Sequence, residues 1–190
     1  MQKMREIIFA TGNELKFEVA RAAMEGLGFS LIQQKVDVPE LQSEDVVEIA
    51  SFSAKWVSAR LGHPVVVTDA GYYIKALNGF PGPFIKFINQ WLTSGDILNL
   101  MKDKKDRSVE VKECLAYCEP GGQPVCFSGS FKGTISLSPG KKGTTPINEI
   151  FIPDGFDNPE SEIPWEKMLN FWKQDGTWRE LASYLKNQRR

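Results

Sequence analysis

One histidine, three cysteines and no long apolar run set the first limits on this chain of 190 residues. His63 stands alone, and Cys114, Cys118 and Cys126 lack the paired spacing of a zinc site, so the pattern speaks against one. Cys114 and Cys118 fall in phase on an expected strand, where buried apolar thiols are a better reading than a redox pair. No stretch reaches the ~18 apolar residues that a bilayer-spanning helix requires. The apolar run behind Lys3 and Arg5 is only Ile7 to Ala10, too short for the core of a signal peptide, and a cytoplasmic protein is expected. A field of one sign is missing too. Lys plus Arg number 23 and Asp plus Glu 24, whereas a duplex binder normally carries a basic face. Neither nucleic acid nor a membrane is expected as a partner. There is no Walker-type Gly-Lys-Ser/Thr, no internal repeat and no linker long enough to divide two independent domains. The tail Asn187-Gln188-Arg189-Arg190 reads as a frayed helix end.

What is present is an alternation of strand and helix signals. Arg5 to Ala10 reads as a strand, broken by Thr11-Gly12-Asn13. Leu15, Val19, Ala22, Ala23 and Leu27 then recur at helical spacing until Gly28. Phe29 to Val38 is a second strand, and Val46 to Leu61 a second helix closed by Gly62. Pro64 to Thr68 is a short buried strand that Asp69-Ala70-Gly71 should terminate. The rigid stretch Asn78 to Pro83 precedes a helix over Phe84 to Leu92, and Asp96 is expected to cap a short helix from Ile97 to Met101. Ser108 to Cys118 and Pro124 to Leu137 flank Pro120-Gly121-Gly122 as a hairpin. Ile147 to Ile152 is the last expected strand, and Pro164 to Lys173 and Thr177 to Gln188 are two closing helices. The expectation is a three-layer α/β protein with a mixed central sheet flanked by helices and a hairpin-based second lobe near residues 108–137.

Four motifs carry chemistry. Thr11-Gly12-Asn13-Glu14-Leu15-Lys16 lies on a strand-to-helix turn, where unsatisfied N–H groups and the helix dipole favour an anion. Gly12 admits close approach, Thr11 and Asn13 are expected to add side-chain donors, and Lys16 can reach back to a phosphate. The same residues also suit a plain helix cap with a solvated Lys16. Asp69-Ala70-Gly71, after Val65-Val66-Val67, puts a carboxylate at the strand edge where open α/β sheets bind ligands, although Asp and Gly are common in any turn there. Glu40, in Pro39-Glu40-Leu41-Gln42, ends another strand. Two carboxylates near a phosphate cradle suit Mg²⁺, and Asp37, Glu44 and Asp45 are alternatives to Glu40. The fourth motif, Gly79 to Lys86, is a stiff loop in which Phe80 or Phe84 either packs a base or plugs the core, the core being the better reading for one of them.

Together these motifs resemble the Ham1-type inosine/xanthosine triphosphate pyrophosphatases. Phe9-Ala10-Thr11-Gly12-Asn13 with Lys16 and Glu18, Pro39 to Gln42, Val67 to Gly71, Ala76 to Gly82, Gly129 and Gly133, and Ile150-Phe151-Ile152-Pro153 carry the likeness. It implies a single ITPase-like domain over residues 1–190, with two lobes and the active-site cleft between them. It implies Mg²⁺-dependent hydrolysis of a non-standard purine nucleoside triphosphate to monophosphate and pyrophosphate, in a homodimer. Thr11, Gly12, Asn13, Lys16 and the Ala70 backbone would hold the triphosphate, with Lys55 a looser candidate. Glu40 and Asp69 would hold the metal, and Asp69 would be the general base. Phe84, Lys86 and Asn148 would face the base.

The chain departs from the family pattern on the base side. Ala70 stands where the family has Ser. Ile147 and Asn148 stand where an aromatic and an Asp precede the last strand, and Asp175-Gly176-Thr177 stands where the family's Ser-His-Arg should come, with Arg179 close but out of phase. Trp165, Trp172 and Trp178 crowd this segment, either as core or interface or as a new stacking wall. These departures keep two alternatives in view: a nucleotide-binding module that has lost turnover, and a scaffold on an inherited fold.

Overall fold

The computed structural model describes residues 5–188. Lys3 ahead of the first strand and the last two arginines of the tail lie outside the described residues. The fold is α/β, with a mixed sheet flanked by helices, and the chain divides into two compact units. Unit 1 comprises residues 1–69, 113–129 and 173–190; unit 2 comprises residues 70–112 and 130–172. The sheet runs β2 (Phe29–Gln34), β1 (Arg5–Ala10), β3 (Val65–Ile74), β5 (Ser108–Cys118), β6 (Val125–Ile135), β7 (Phe151–Pro153). A two-residue β4, Pro81–Gly82, pairs antiparallel with β3. β1 is parallel to both β2 and β3, whereas β6 and β7 are antiparallel.

Unit 1 is layered because its strands alternate. Ile7, Phe9, Val66, Leu115 and Tyr117 face α1 (Glu14–Met24) and α6 (Thr177–Asn187), together with Ala20, Met24, Trp178 and Leu181. Val65, Val67, Cys114, Ala116 and Cys118 face the other way, onto Val46, Ala50, Ala54 and Val57 of α2 (Val46–Leu61). Period two in the strands and 3.6 in the helices produce this division. Cys114 and Cys118 do share one buried face. Burial, then neighbouring Cys126, pushes the Cys114 thiol up to about 12, which leaves it inert as a nucleophile. Gly62 ends α2 in the left-handed conformation at φ 64°.

Unit 2 packs Ile74, Val109, Val111, Phe131, Ile135 and Phe151 against α3 (Ile85–Trp91), α4 (Ser94–Leu100) and α5 (Trp165–Trp172). Three expectations fail in or beside this unit. Asp69-Ala70-Gly71 does not end β3, which runs on to Ile74. β4 lies over the strand at this point, and a Cβ on Gly71 would stand 2.7 Å from the Gly82 carbonyl carbon. The α4 cap is Thr93, not Asp96: Thr93 Oγ1 accepts the Asp96 N–H while Asp96 accepts the Thr93 N–H, a reciprocal box. Ile147 to Ile152 is not one strand but a 3₁₀ turn, Pro146–Glu149, followed by β7.

Candidate active site

In unit 1 the parallel strands β1 and β2 end side by side, and β3, parallel to β1, passes the same level at Thr68 on its way to Ile74. Ala10 pairs with Gln34 and Phe9 with Val66, so continuing the registers sets Thr11 level with Lys35 on one side and Thr68 on the other. Asn13 caps α1, its Oδ1 accepting the Lys16 N–H at 3.2 Å. The Thr11 hydroxyl accepts the Asn13 N–H at 3.1 Å. These two bonds fold the turn so that the remaining first-turn N–H groups of α1 lie at its open end. Lys16 Nζ donates to the Thr68 carbonyl at 3.4 Å. That contact brings the ammonium next to Asp69, the following residue on β3, whose Oδ2 is shielded from water. Glu40 is exposed beyond the end of β2. Among the described residues no group of three or more His, Cys, Asp or Glu is arranged to hold a metal ion.

In unit 2 the loop after Asn78 turns on left-handed residues at Asn78, Gly79 and Gly82. It leaves Phe80 and Phe84 40% and 38% exposed, so neither plugs the core. Lys86 lies 5.5 Å over the Phe87 ring. The turn Pro146–Glu149 is tied to α3 by the Ile147 N–H, which Asn89 Oδ1 accepts at 3.2 Å. Glu149 is buried and locks the neighbouring loop: it accepts from Ser94 Oγ at 2.6 Å and the Gly143 N–H at 3.2 Å, with Lys142 Nζ at 3.2 Å. The Ser94 bond leads the interactions that hold its carboxyl below the ordinary range. Asn148 is half-buried and accepts from the hydroxyls of Thr144 and Thr145. On the neighbouring turn, burial pushes the Glu160 carboxyl up to about 7, against a weaker lowering pull from Asn148.

A family model described as the Ham1 family matches residues 7–174. The chain belongs to the Ham1 family. It is 35% identical over 182 residues to a dITP/XTP pyrophosphatase of Methanopyrus kandleri, covering 96% of this chain and 97% of that one. Its identity to a dITP/XTP pyrophosphatase of Methanosarcina mazei is 40% over 152 residues, or 80% of this chain and 83% of the other. A Ham1 protein structure from Coxiella burnetii matches the fold with a TM-score of 0.81 at 23% identity, over 97% of this chain and all of that one.

Within this Ham1 chain, Thr11, Gly12, Asn13, Lys16 and Asp69 gather at one sheet edge of unit 1. Lys55 is held elsewhere, donating to Gln123 Oε1 at 3.2 Å. Phe84, Lys86 and Asn148 all belong to unit 2. Ile147, in the place of a stacking aromatic, is 2% exposed and belongs to the core. Trp178 packs edge-on to Phe9 in unit 1, Trp172 edge-on to Phe131 in unit 2, and Trp165 is exposed. Arg179 is exposed on α6.

Two residues were missed in the sequence because their signals are three-dimensional. Lys35 lays its stem along Gly12, where a Cβ would meet its Cδ at 3.3 Å; only the β1–β2 register reveals this second lysine at the turn. Lys35→Ala should raise the KM for a triphosphate about three- to tenfold with kcat little changed, the loss of one charge-assisted contact present in ground and transition states alike. Steady-state kinetics with a pyrophosphate assay measures the split, and a fall in kcat alone would remove Lys35 from the binding set. Glu160 is the other. Its raised carboxyl favours the folded state fully below about pH 4.5, and that contribution is lost as pH rises through about 7. Glu160→Gln should therefore match the native chain at about pH 4 and exceed it at pH 8, by up to about 3 kcal/mol. Urea titrations at both pH values check this, and equal midpoints at pH 8 would contradict it.

Proposed function

We propose that the chain hydrolyses a non-standard purine nucleoside triphosphate to the monophosphate and pyrophosphate, with the turn around Thr11, Lys16 and Asp69 binding the triphosphate. The observation that carries this reading is the Lys16–Thr68 contact, which joins the amide-lined turn to the Asp69 strand at one edge. Thr11, Gly12, Asn13 and the Ala70 N–H cradle phosphate oxygens, and Lys16 neutralises their charge. Asp69 takes a proton from the water that attacks the α-phosphorus, and pyrophosphate leaves. Carboxylate oxygens are the donors Mg²⁺ takes, and Asp69 and Glu40 would hold it together with substrate phosphates. Bound there, the ion would offset charge on the leaving pyrophosphate. Phe84, Lys86 and Asn148 meet the base. On this reading the protein is a cytoplasmic homodimer.

Product analysis over ordinary and deaminated triphosphates tests the proposal. Pyrophosphate, not orthophosphate, should appear with Mg²⁺ and vanish with a chelator. Tight triphosphate binding with no turnover would instead favour the binding-module alternative.

A further inference from the structure

Lys35 follows the last residue of β2, and its ammonium does nothing for the fold. The side chain is exposed, and no hydrogen bond or ion pair engages it among the described residues. Its stem nevertheless has a definite bed. A Cβ on Gly12 would meet Lys35 Cδ at 3.3 Å, Cγ at 3.4 Å and Cε at 3.6 Å. The methylenes thus lie along the bare Gly12 backbone and carry the charge from the end of β2 onto the turn that follows β1. Lys16 is placed differently. Its Nζ reaches the Thr68 carbonyl at 3.4 Å, on the β3 side of the same turn. Between the two lysines α1 begins. Asn13 takes the N–H groups of Lys16 and Phe17, so those of Glu14 and Leu15 are the first-turn donors left to the helix among the described residues. The strand order β2-β1-β3 therefore sets three anion-binding groups in a row: Lys35 at β2, the helix amides at β1, and Lys16 at β3. Neighbouring strands lie about 4.8 Å apart, so the two ends of the row are separated by roughly 10 Å. One phosphate cannot touch both ends of such a row, whereas a string of phosphates can.

We propose that the triphosphate lies across the strand ends, with its α-phosphate beside Asp69 and Lys16 at β3 and its terminal phosphate at Lys35 beyond β2, so that Lys35 is a binding residue for the leaving pyrophosphate. The proposal rests on the reading that Asp69 directs water at the α-phosphorus. That reading anchors one end of the phosphate string, and the helix amides and Lys35 give its direction. In the reaction the water oxygen bonds to the α-phosphorus and Asp69 takes the proton. The bond from phosphorus to the bridging oxygen breaks, and its electron pair leaves on pyrophosphate. Charge grows at that bridging oxygen, nearest the helix amides and Lys16. The terminal phosphate is charged before and after the step. Lys35 therefore grips substrate and transition state alike, which lowers KM and leaves kcat almost untouched.

The test is the binding of two fragments, pyrophosphate and dIMP, each measured by calorimetry with Mg²⁺ in the native chain, Lys35→Met, Lys35→Arg and Lys16→Met. Lys35→Met keeps a stem on Gly12 and removes the charge. It should weaken pyrophosphate about three- to tenfold, the loss of one charge-assisted contact, and leave dIMP unchanged. Lys35→Arg should keep most of the pyrophosphate affinity. Lys16→Met, at the other end of the row, should weaken dIMP. With dITP as substrate, Lys35→Met should raise KM by the factor seen for pyrophosphate. If Lys35→Met binds pyrophosphate as the native chain does, or loses pyrophosphate and dIMP equally, the proposal is overturned. A loss confined to dIMP would reverse the phosphate string and overturn it as well. Pyrophosphate release from dITP by the native chain, followed in parallel, separates the two readings. Native turnover with unchanged pyrophosphate affinity in Lys35→Met rejects the role of Lys35 alone. A native chain that releases no pyrophosphate rejects the reaction on which that role rests.

Discussion

Asp69→Asn should leave the protein folded and lower kcat by about a thousandfold or more, within the range that general-base catalysis supplies. The amide matches the carboxylate in size, and β3 continues for five residues past this position, to Ile74, so the strand has no reason to move. What changes is chemistry. An amide does not accept the proton of an attacking water and holds a divalent cation poorly. The KM should stay level or fall, because a negative charge beside an anionic substrate has been removed. This combination separates a reacting group from a binding one. Thermal melting and circular dichroism confirm the fold, and pyrophosphate release measures the rate. Full activity in a folded Asp69→Asn protein would mean that the base is elsewhere.

Gly133→Ala should be among the most damaging single-methyl additions in unit 2. Gly133 faces Pro153 across the β6–β7 pair. A Cβ there would collide with the Ile152 carbonyl oxygen and stand 2.5 Å from Phe151 Cε2 and 3.0 Å from Phe151 Cζ. Neither can yield cheaply. The carbonyl belongs to the strand backbone, and the Phe151 ring is fully buried and packed edge-on to Tyr72 at 5.3 Å. Overpacking of this kind costs about 1–3 kcal/mol, and moving a strand adds to it. For a domain of this size a loss of about 3 kcal/mol lowers the melting temperature by roughly 6–12 °C. A scan showing less than about 2 °C would mean that β7 slides away from β6 without penalty.

Local signals carried the reading of unit 1. Arg5–Ala10 and Val46–Leu61 were legible to the residue because their apolar periods are uninterrupted and their ends are marked by Thr11-Gly12-Asn13 and Gly62. Thr11, Asn13 and Lys16 were legible for the same reason, each lying within a few residues of the end of β1 or the start of α1. Where a distant segment sets the local structure, the reading failed. Asp69-Ala70-Gly71 looks like a terminator in isolation, but β4 arrives from the following loop and extends the strand. Ile147 looks like the start of a strand, yet Asn89 of α3 accepts its N–H and holds the segment as a turn. Lys35 and Glu160 carry no motif. Their surroundings depend on strand register and on the packing of two short turns, which leave no period in the chain.

The Lys16 ammonium rests on a neutral carbonyl, that of Thr68. Exchanging that partner for a phosphate oxygen trades a bond from an ammonium to a neutral carbonyl for one between opposite charges. The lysine is therefore stowed beside its task on a short tether, and capture of an anion asks for a swing of one side chain with no strand displaced. Encounter rates governed by this ready charge should weaken with ionic strength while the architecture stays unmoved.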